Sequence, residues 1–394
     1  MTGQPAPISP GSRSRLLVAA ALGLTQILGY GTTFYLLAVL AKPISAETGW
    51  DLSQIAAGLS IGLLIAGISA PFAGRILDRF GGRPVLAFGS VCFAIGLAGV
   101  GLSTSVVTYC AAWCVVGLGM AAGLYDATFS ALGRWYGQEA RPLITSVTLW
   151  GGFASTVCWP LTAYLVSVSG WRSTCLIFAG MHLLIALPIH LWLMPANADH
   201  AAKRDTAAPV VQPPERRLLF WLIAASLVLT SLVVTVISVH MIPVLQGIGY
   251  SAAAAVALGA LIGPSQVAGR IVEFALGRRL HPLWSTLLAA LMMAAGAALL
   301  AFNLQFAAVA IVAYAMGAGV SYIVRGTLPL VMFGSEGYAT LMGKLVMPSL
   351  IAQATAPWAA ALALSHFGQA VFFPMIMALT FANVAVVAAL LRWR

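Results

Sequence analysis

The run GRILDRFGGRP, Gly74 to Pro84, places Arg75, Asp78, Arg79 and Arg83 in the middle of a chain that otherwise avoids charge. A second run, GRIVEFALGRR from Gly269 to Arg279, has the same shape: Gly74-Arg75-Ile76-Leu77-Asp78 and Gly269-Arg270-Ile271-Val272-Glu273 correspond position by position, 195 residues apart. Two further echoes recur at a similar spacing. YGQEA (Tyr136 to Ala140) answers FGSEG (Phe333 to Gly337), and Pro43 answers Pro243. Matches repeated at about half the length of the chain indicate a duplicated unit.

Working outward, the charged runs are flanked by long apolar stretches. Of 394 residues 61% are hydrophobic and 8% charged, against roughly a quarter charged in a soluble domain. Such a chain must lie in a lipid bilayer, where about 20 apolar residues make a spanning helix. Apolar runs fall near 16–41, 52–74, 84–105, 108–134, 142–167 and 173–194, then near 218–246, 252–275, 282–303, 306–333, 341–364 and 369–391. The first exceeds the 7 to 15 residues or so of a signal-peptide core and is expected to span the membrane. Between the sixth and seventh lies PANADHAAKRDTAAPVVQPPERR, polar and rich in Pro and Ala, which reads as a flexible linker. The expected organisation is therefore a six-helix bundle over 1–194, a cytoplasmic linker over 195–217 and a second six-helix bundle over 218–394.

With the N-terminus inside the cell, all of the 20 Lys and Arg except Lys42, Arg172 and Arg325 fall in or beside cytoplasmic segments. This asymmetry predicts cytoplasmic termini and a bacterial-type inner membrane. The net charge of +10 is scattered singly or in pairs instead of forming a dense stripe, which argues against nucleic acid as a partner. The five cysteines match no metal-site spacing and read as small buried hydrophobes.

Gly74, Asp78, Arg79, Gly81 and Arg83 occupy the places of the loop motif of the major facilitator superfamily, and the whole chain resembles that family. The resemblance implies an all-α membrane protein of twelve transmembrane helices in two pseudo-symmetric six-helix bundles. The stretches GYGTTFYLLAVLAKPISAETGWDLSQ and WGGFASTVCWPLTAYLVSVSGWR are similar to the oxalate/formate antiporter and monocarboxylate transporter branch. Trp113 stands where drug/proton antiporters usually carry an arginine, and Gln266 precedes Arg270 where eukaryotic monocarboxylate carriers would have an aspartate. Glycine, aspartate and arginine at a helix end suit a latch that pairs across the halves, with Gly74, Asp78, Arg79, Gly81, Arg83, Arg270 and Glu273 as its parts.

Charge within the hydrocarbon costs about 3 kcal/mol on insertion scales, so Asp126 and Arg325 stand out. Each lies about eight residues, roughly 12 Å of rise, from the charged end of its own segment. The resemblance implies that both segments line the central cavity. Arg325 offers a permanent planar fork for a carboxylate; pairing with Asp126 is the competing role. Asp126, unlike an arginine, can take up and release a proton, and is the expected proton-coupling residue. Polar residues at helical spacing complete the expected substrate wall: Gln26, Tyr30 and Thr33 in the first helix, Ser231, Thr235 and Ser238 in the seventh, with Tyr322, Gln353 and Trp358. His182, His190 and His240 read as packing residues.

No nucleotide-binding loop, haem site or catalytic triad occurs, so neither enzymatic activity nor a cofactor is expected. The sequence points to a monomeric secondary transporter moving a small organic anion, a carboxylate or zwitterion, by alternating access. Protons or a counter-anion would drive it. A proton-antiport exporter of drugs or metabolites is the alternative.

Overall fold

With no water available in hydrocarbon to satisfy backbone N–H and C=O groups, apolar runs must close their own hydrogen bonds as helices, and this chain does so throughout. The computed structural model describes residues 12–195, 214–277 and 280–393. Most of the linker and Arg278 and Arg279, the end of the second charged run, lie outside the described residues.

The N-terminal half contains α1 (Ser12–Gly31), α2 (Leu37–Thr48), α3 (Leu52–Phe80), α4 (Gly82–Leu102), α5 (Val106–Gly123), α6 (Tyr125–Tyr136), α7 (Arg141–Gly151) and α8 (Ala154–Met181), the last continued by wider helical turns to Leu193. The C-terminal half contains α9 (Pro214–Gly247), α10 (Ala252–Ala260), α11 (Ile262–Leu276), α12 (Pro282–Phe302), α13 (Ala307–Phe333), α14 (Tyr338–Phe367) and α15 (Phe372–Leu390). Nine described helical stretches are long and apolar enough to cross a membrane. One of them, Val106–Leu193, holds three crossings, because the chain turns at 137–140 and again at the non-helical Gly170. The first crossing is split into α1 and α2. Twelve crossings result, as the sequence predicts, in an all-α membrane protein.

The duplicated motif is visible in the geometry. α6 ends at Gly137 and α13 at Gly334, both with positive φ (56° and 86°), which explains the YGQEA and FGSEG echo. In the first charged run Gly81 has φ 92° and ψ 171°, a conformation reserved to glycine, and so turns α3 into α4.

The two halves meet closely at the end of the molecule that carries this run, hereafter the motif end. There a single hydrophobic core crosses between them, joining Leu77, Phe129 and Leu132 to Leu330, Tyr338 and Met342. Toward the opposite end the cores are separate, one around Leu40, Trp113 and Phe178, the other around Val236, Tyr314 and Phe372. The bundle is thus sealed at the motif end.

Each copy of the motif contributes to that seal. Asp78 Oδ2 accepts a 2.8 Å bond from the Thr340 amide in the first turn of α14, where helix amides lack partners of their own. Arg134 donates to the Asp78 carbonyl. Gly74 lies so near α14 that a methyl group would overlap the Ala339 carbonyl. Arg79 stands over the Phe80 ring, and Arg83 is half-buried at the start of α4. In the second copy Glu273 accepts from Ser285 Oγ at 2.8 Å within its own half. The crossing contact there comes from Arg141, which donates to the carbonyls of Gly277 and Leu280 at 2.5 and 2.7 Å. Arg270 departs from expectation: six residues before the end of α11, it lies away from the motif end and in the interior, where it is 4% exposed.

The basic side chains Arg15, Arg75, Arg79, Arg83, Arg134 and Arg141 share the motif end. At the other end Arg172 pairs with Glu47 at 2.7 Å and donates to the carbonyls of Gly101 and Ser103. The five cysteines are free.

Candidate functional site

A cavity of about 1070 Å3, counting its mouth, lies between the halves. Tyr30 of α1, Tyr125 and Asp126 of α6, Ser231 of α9, Arg270 of α11, Tyr322 and Arg325 of α13 and Gln353 of α14 reach it.

Asp126 is aimed by a break in its span. Leu124, between α5 and α6, is extended (φ −85°, ψ −170°), so that α6 starts afresh with Asp126 in its first turn. Gln26 Nε2 supports the break by donating to the Gly123 carbonyl at 2.8 Å and to Thr128 Oγ1 at 2.9 Å. Across the interface Arg325 Nε and Nη2 donate to the two carboxylate oxygens of Asp126 at 2.7 and 2.8 Å. This is the planar bidentate arrangement that arginine favours. The side chains are 11% and 22% exposed, and the bond ties one half to the other.

Arg270 is held differently. Its Nη1 donates to the Thr148 carbonyl at 2.7 Å, in the cradle left by Gly152, where a methyl group would collide with that same nitrogen. Its guanidinium stands 4.8 Å from the centre of the Tyr322 ring, while Nε is buried without a partner. Among the described residues no acidic side chain lies within salt-bridge distance of it. Around these charges the wall is aromatic: Tyr30 and Tyr125 have ring centres 4.6 Å apart, and Tyr125 lies 6.3 Å from Tyr322.

The other wall candidates divide. Gln353 Nε2 donates to Ser231 Oγ at 3.2 Å, and both line the cavity. Gln26 does not; it is consumed in supporting the α5–α6 break. Thr33 is buried in the turn between α1 and α2, with its hydroxyl on the Gly29 carbonyl. The cavity stripe of α9 runs through Leu227, Thr230, Ser231 and Val234, leaving Thr235 to one side and buried. Ser238 is exposed with its hydroxyl on the Val234 carbonyl. Trp358 is 70% exposed; five residues beyond Gln353 it points about 140° around the helix, away from the cavity. The histidines pack as expected: His182 on Thr32, His190 on Ser90 and Thr25, His240 on the Pro357 carbonyl.

Sequence reasoning missed Arg270, Tyr125 and Thr230 as lining residues. Arg270 had a readable signal, since it lies six residues before the end of α11, roughly 9 Å of rise inside.

Residues 22–357, most of the chain, match the Major Facilitator Superfamily. The chain belongs to that superfamily. It is therefore a membrane transporter and not an enzyme. Monocarboxylate transporter 2 of Mus musculus is 30% identical over 148 residues, 37% of this chain and 30% of that protein. The oxalate:formate antiporter of Oxalobacter formigenes is 28% identical over 186 residues, 45% of this chain and 43% of that one. These matches span less than half the length of either relative. Among solved structures, the proton:xylose symporter XylE bound to 6-bromo-6-deoxy-D-glucose is 14% identical, with a TM-score of 0.73 over 95% of this chain and 94% of that one. The facilitator fold extends over nearly the whole molecule.

Proposed function

We propose that this facilitator moves a small organic anion bearing a carboxylate, by alternating access of the central cavity. The observation that carries the reading is Arg270, a buried guanidinium whose Nε has no partner and which, among the described residues, meets no acidic side chain, standing in a cavity between the halves. An arginine so placed is costly unless something negative meets it. Arg325, the residue the sequence singles out, has two donors committed to Asp126, so Arg270 receives the carboxylate first. Tyr30, Tyr322, Ser231 and Gln353 line the same cavity. The names of the matched relatives, a monocarboxylate transporter and an oxalate:formate antiporter, support the same substrate class.

Lys and Arg favour the cytoplasmic face, so the motif end belongs in the cytoplasm of a bacterial-type inner membrane, with the cavity facing outward. Asp126 and Arg325 sit on opposite halves. When the halves part at the motif end their bond breaks, and Asp126 is left to take up the coupling proton.

The test is binding and uptake of a labelled monocarboxylate by the purified protein, alone and in proteoliposomes. Arg270→Gln is expected to lose binding by about a hundredfold, the weight of a charge-assisted pair. Undiminished binding in that variant sinks the anion reading. Failure to accumulate any acid, together with proton-driven efflux of a cationic dye, favours an exporter.

A further inference from the structure

The cavity lining carries three charged side chains among the described residues, Asp126, Arg270 and Arg325. Both oxygens of Asp126 accept N–H bonds from Arg325, the geometry of an ionised carboxylate, so this pair contributes no net charge. Arg270 alone remains uncompensated. The site holds one surplus positive charge, beside rings whose faces suit a flat apolar body.

We infer that Asp126 sets the valence of the cargo: by neutralising Arg325 it confines the cavity to monoanions with a planar apolar body and rejects dianions of the same shape. This deepens the function proposed above and rests on it. A first carboxylate takes Arg270, next to Tyr322. A second would find no cation free, only tyrosine hydroxyls, Gln353 and the Asp126 carboxylate itself. An unpaired ion buried between two apolar bundles is disfavoured, and repulsion from Asp126 adds to the cost.

The test separates charge from shape. Labelled benzoate is displaced from purified protein at neutral pH by 4-carbamoylbenzoate or by terephthalate. These have the same outline and differ by one charge. Native protein is expected to bind the carbamoyl compound at least about tenfold more tightly. Asp126→Asn frees Arg325, raises the surplus to two and is expected to shift the ratio about tenfold toward terephthalate. The double variant D126N/R325Q returns the surplus to one and should restore the native ratio. Arg325→Gln alone leaves a surplus of zero, so both ligands weaken and the dianion weakens more. The comparison of the two probes on native protein decides the matter even if neither single variant folds. Equal binding of the two probes by native protein, or a ratio that stays constant across the charge series, overturns the assignment of valence. Absence of any carboxylate binding overturns the transport reading beneath it, and is told apart because benzoate itself then fails to bind.

Discussion

Asp126 and Arg325 differ in what their loss leaves behind. A buried ion pair adds little net stability, but deleting one partner strands the other. Arg325→Gln leaves an ionised carboxylate without its fork, and is expected to destabilise the protein by about 3 kcal/mol or more. Asp126→Asn/Arg325→Gln should recover much of that loss, as read by thermal unfolding in detergent. For coupling, the charged and titratable groups around Asp126 are Arg325, Tyr30 and Tyr338. Only Asp126 among these is a carboxyl. Asp126→Asn is thus expected to keep substrate exchange between equal pools while losing accumulation driven by a pH gradient. Retained pH-driven accumulation removes the proton role. Both charged residues were legible in the sequence because charge in an apolar run is conspicuous. Their bond was not, since 199 positions separate them.

The helices carry the next level of consequence. α3 and α14 approach face to face because Gly74 and Gly343 present bare backbone, Gly343 lying against the Ala70 carbonyl as Gly74 lies against Ala339. Gly74→Val must push the helices apart and weaken the Asp78–Thr340 bond. The expected outcome is a motif end that opens more often. It can be followed by an impermeant thiol reagent applied from that side, with a cysteine at Ser130, which lines a small void with Gly74, Asp126 and Ala339, in a background lacking the five native cysteines. Unchanged labelling would detach the motif from the seal. The breaks at Leu124 and between Gly151 and Ala154 matter equally, since they aim Asp126 and cradle Arg270. The polar spacing in the first and seventh helices pointed to a cavity wall. Tyr30 and Ser231 line the cavity, whereas Gln26, Thr33, Thr235 and Ser238 do not. A helical stripe identifies a face, whereas the break or neighbour facing it decides whether a side chain meets water or protein.

At the scale of the molecule, four polar contacts that tie the halves together toward the motif end cross the pseudo-twofold boundary: Asp78 to Thr340, Arg141 to Gly277, Gln138 to the Leu330 carbonyl and Asp126 to Arg325, while Arg134 holds the Asp78 carbonyl within its own half. Alternating access requires all of them to break while the separate cores at the opposite end join. A benzoate-class ligand that stabilises one of the two states shifts their populations only by its differential affinity. Its binding should therefore change Ser130→Cys labelling in the same cysteine-free background with Gly74 intact. Labelling unaffected at saturating benzoate would show that the ligand does not distinguish the states.

Hydropathy, the half-length repeat and the clustering of arginine between apolar runs determined by themselves that this is a twelve-crossing duplicated membrane protein, because lipid leaves apolar segments no alternative to helices. The same clustering marked the end that seals. Which arginine stands unpaired in the cavity was decided only by tertiary structure. The chain places Arg270 in a charged run and Arg325 alone in an apolar one, yet Asp126 reaches Arg325 and not Arg270, and a partner from the other half is a matter of packing that no local pattern records.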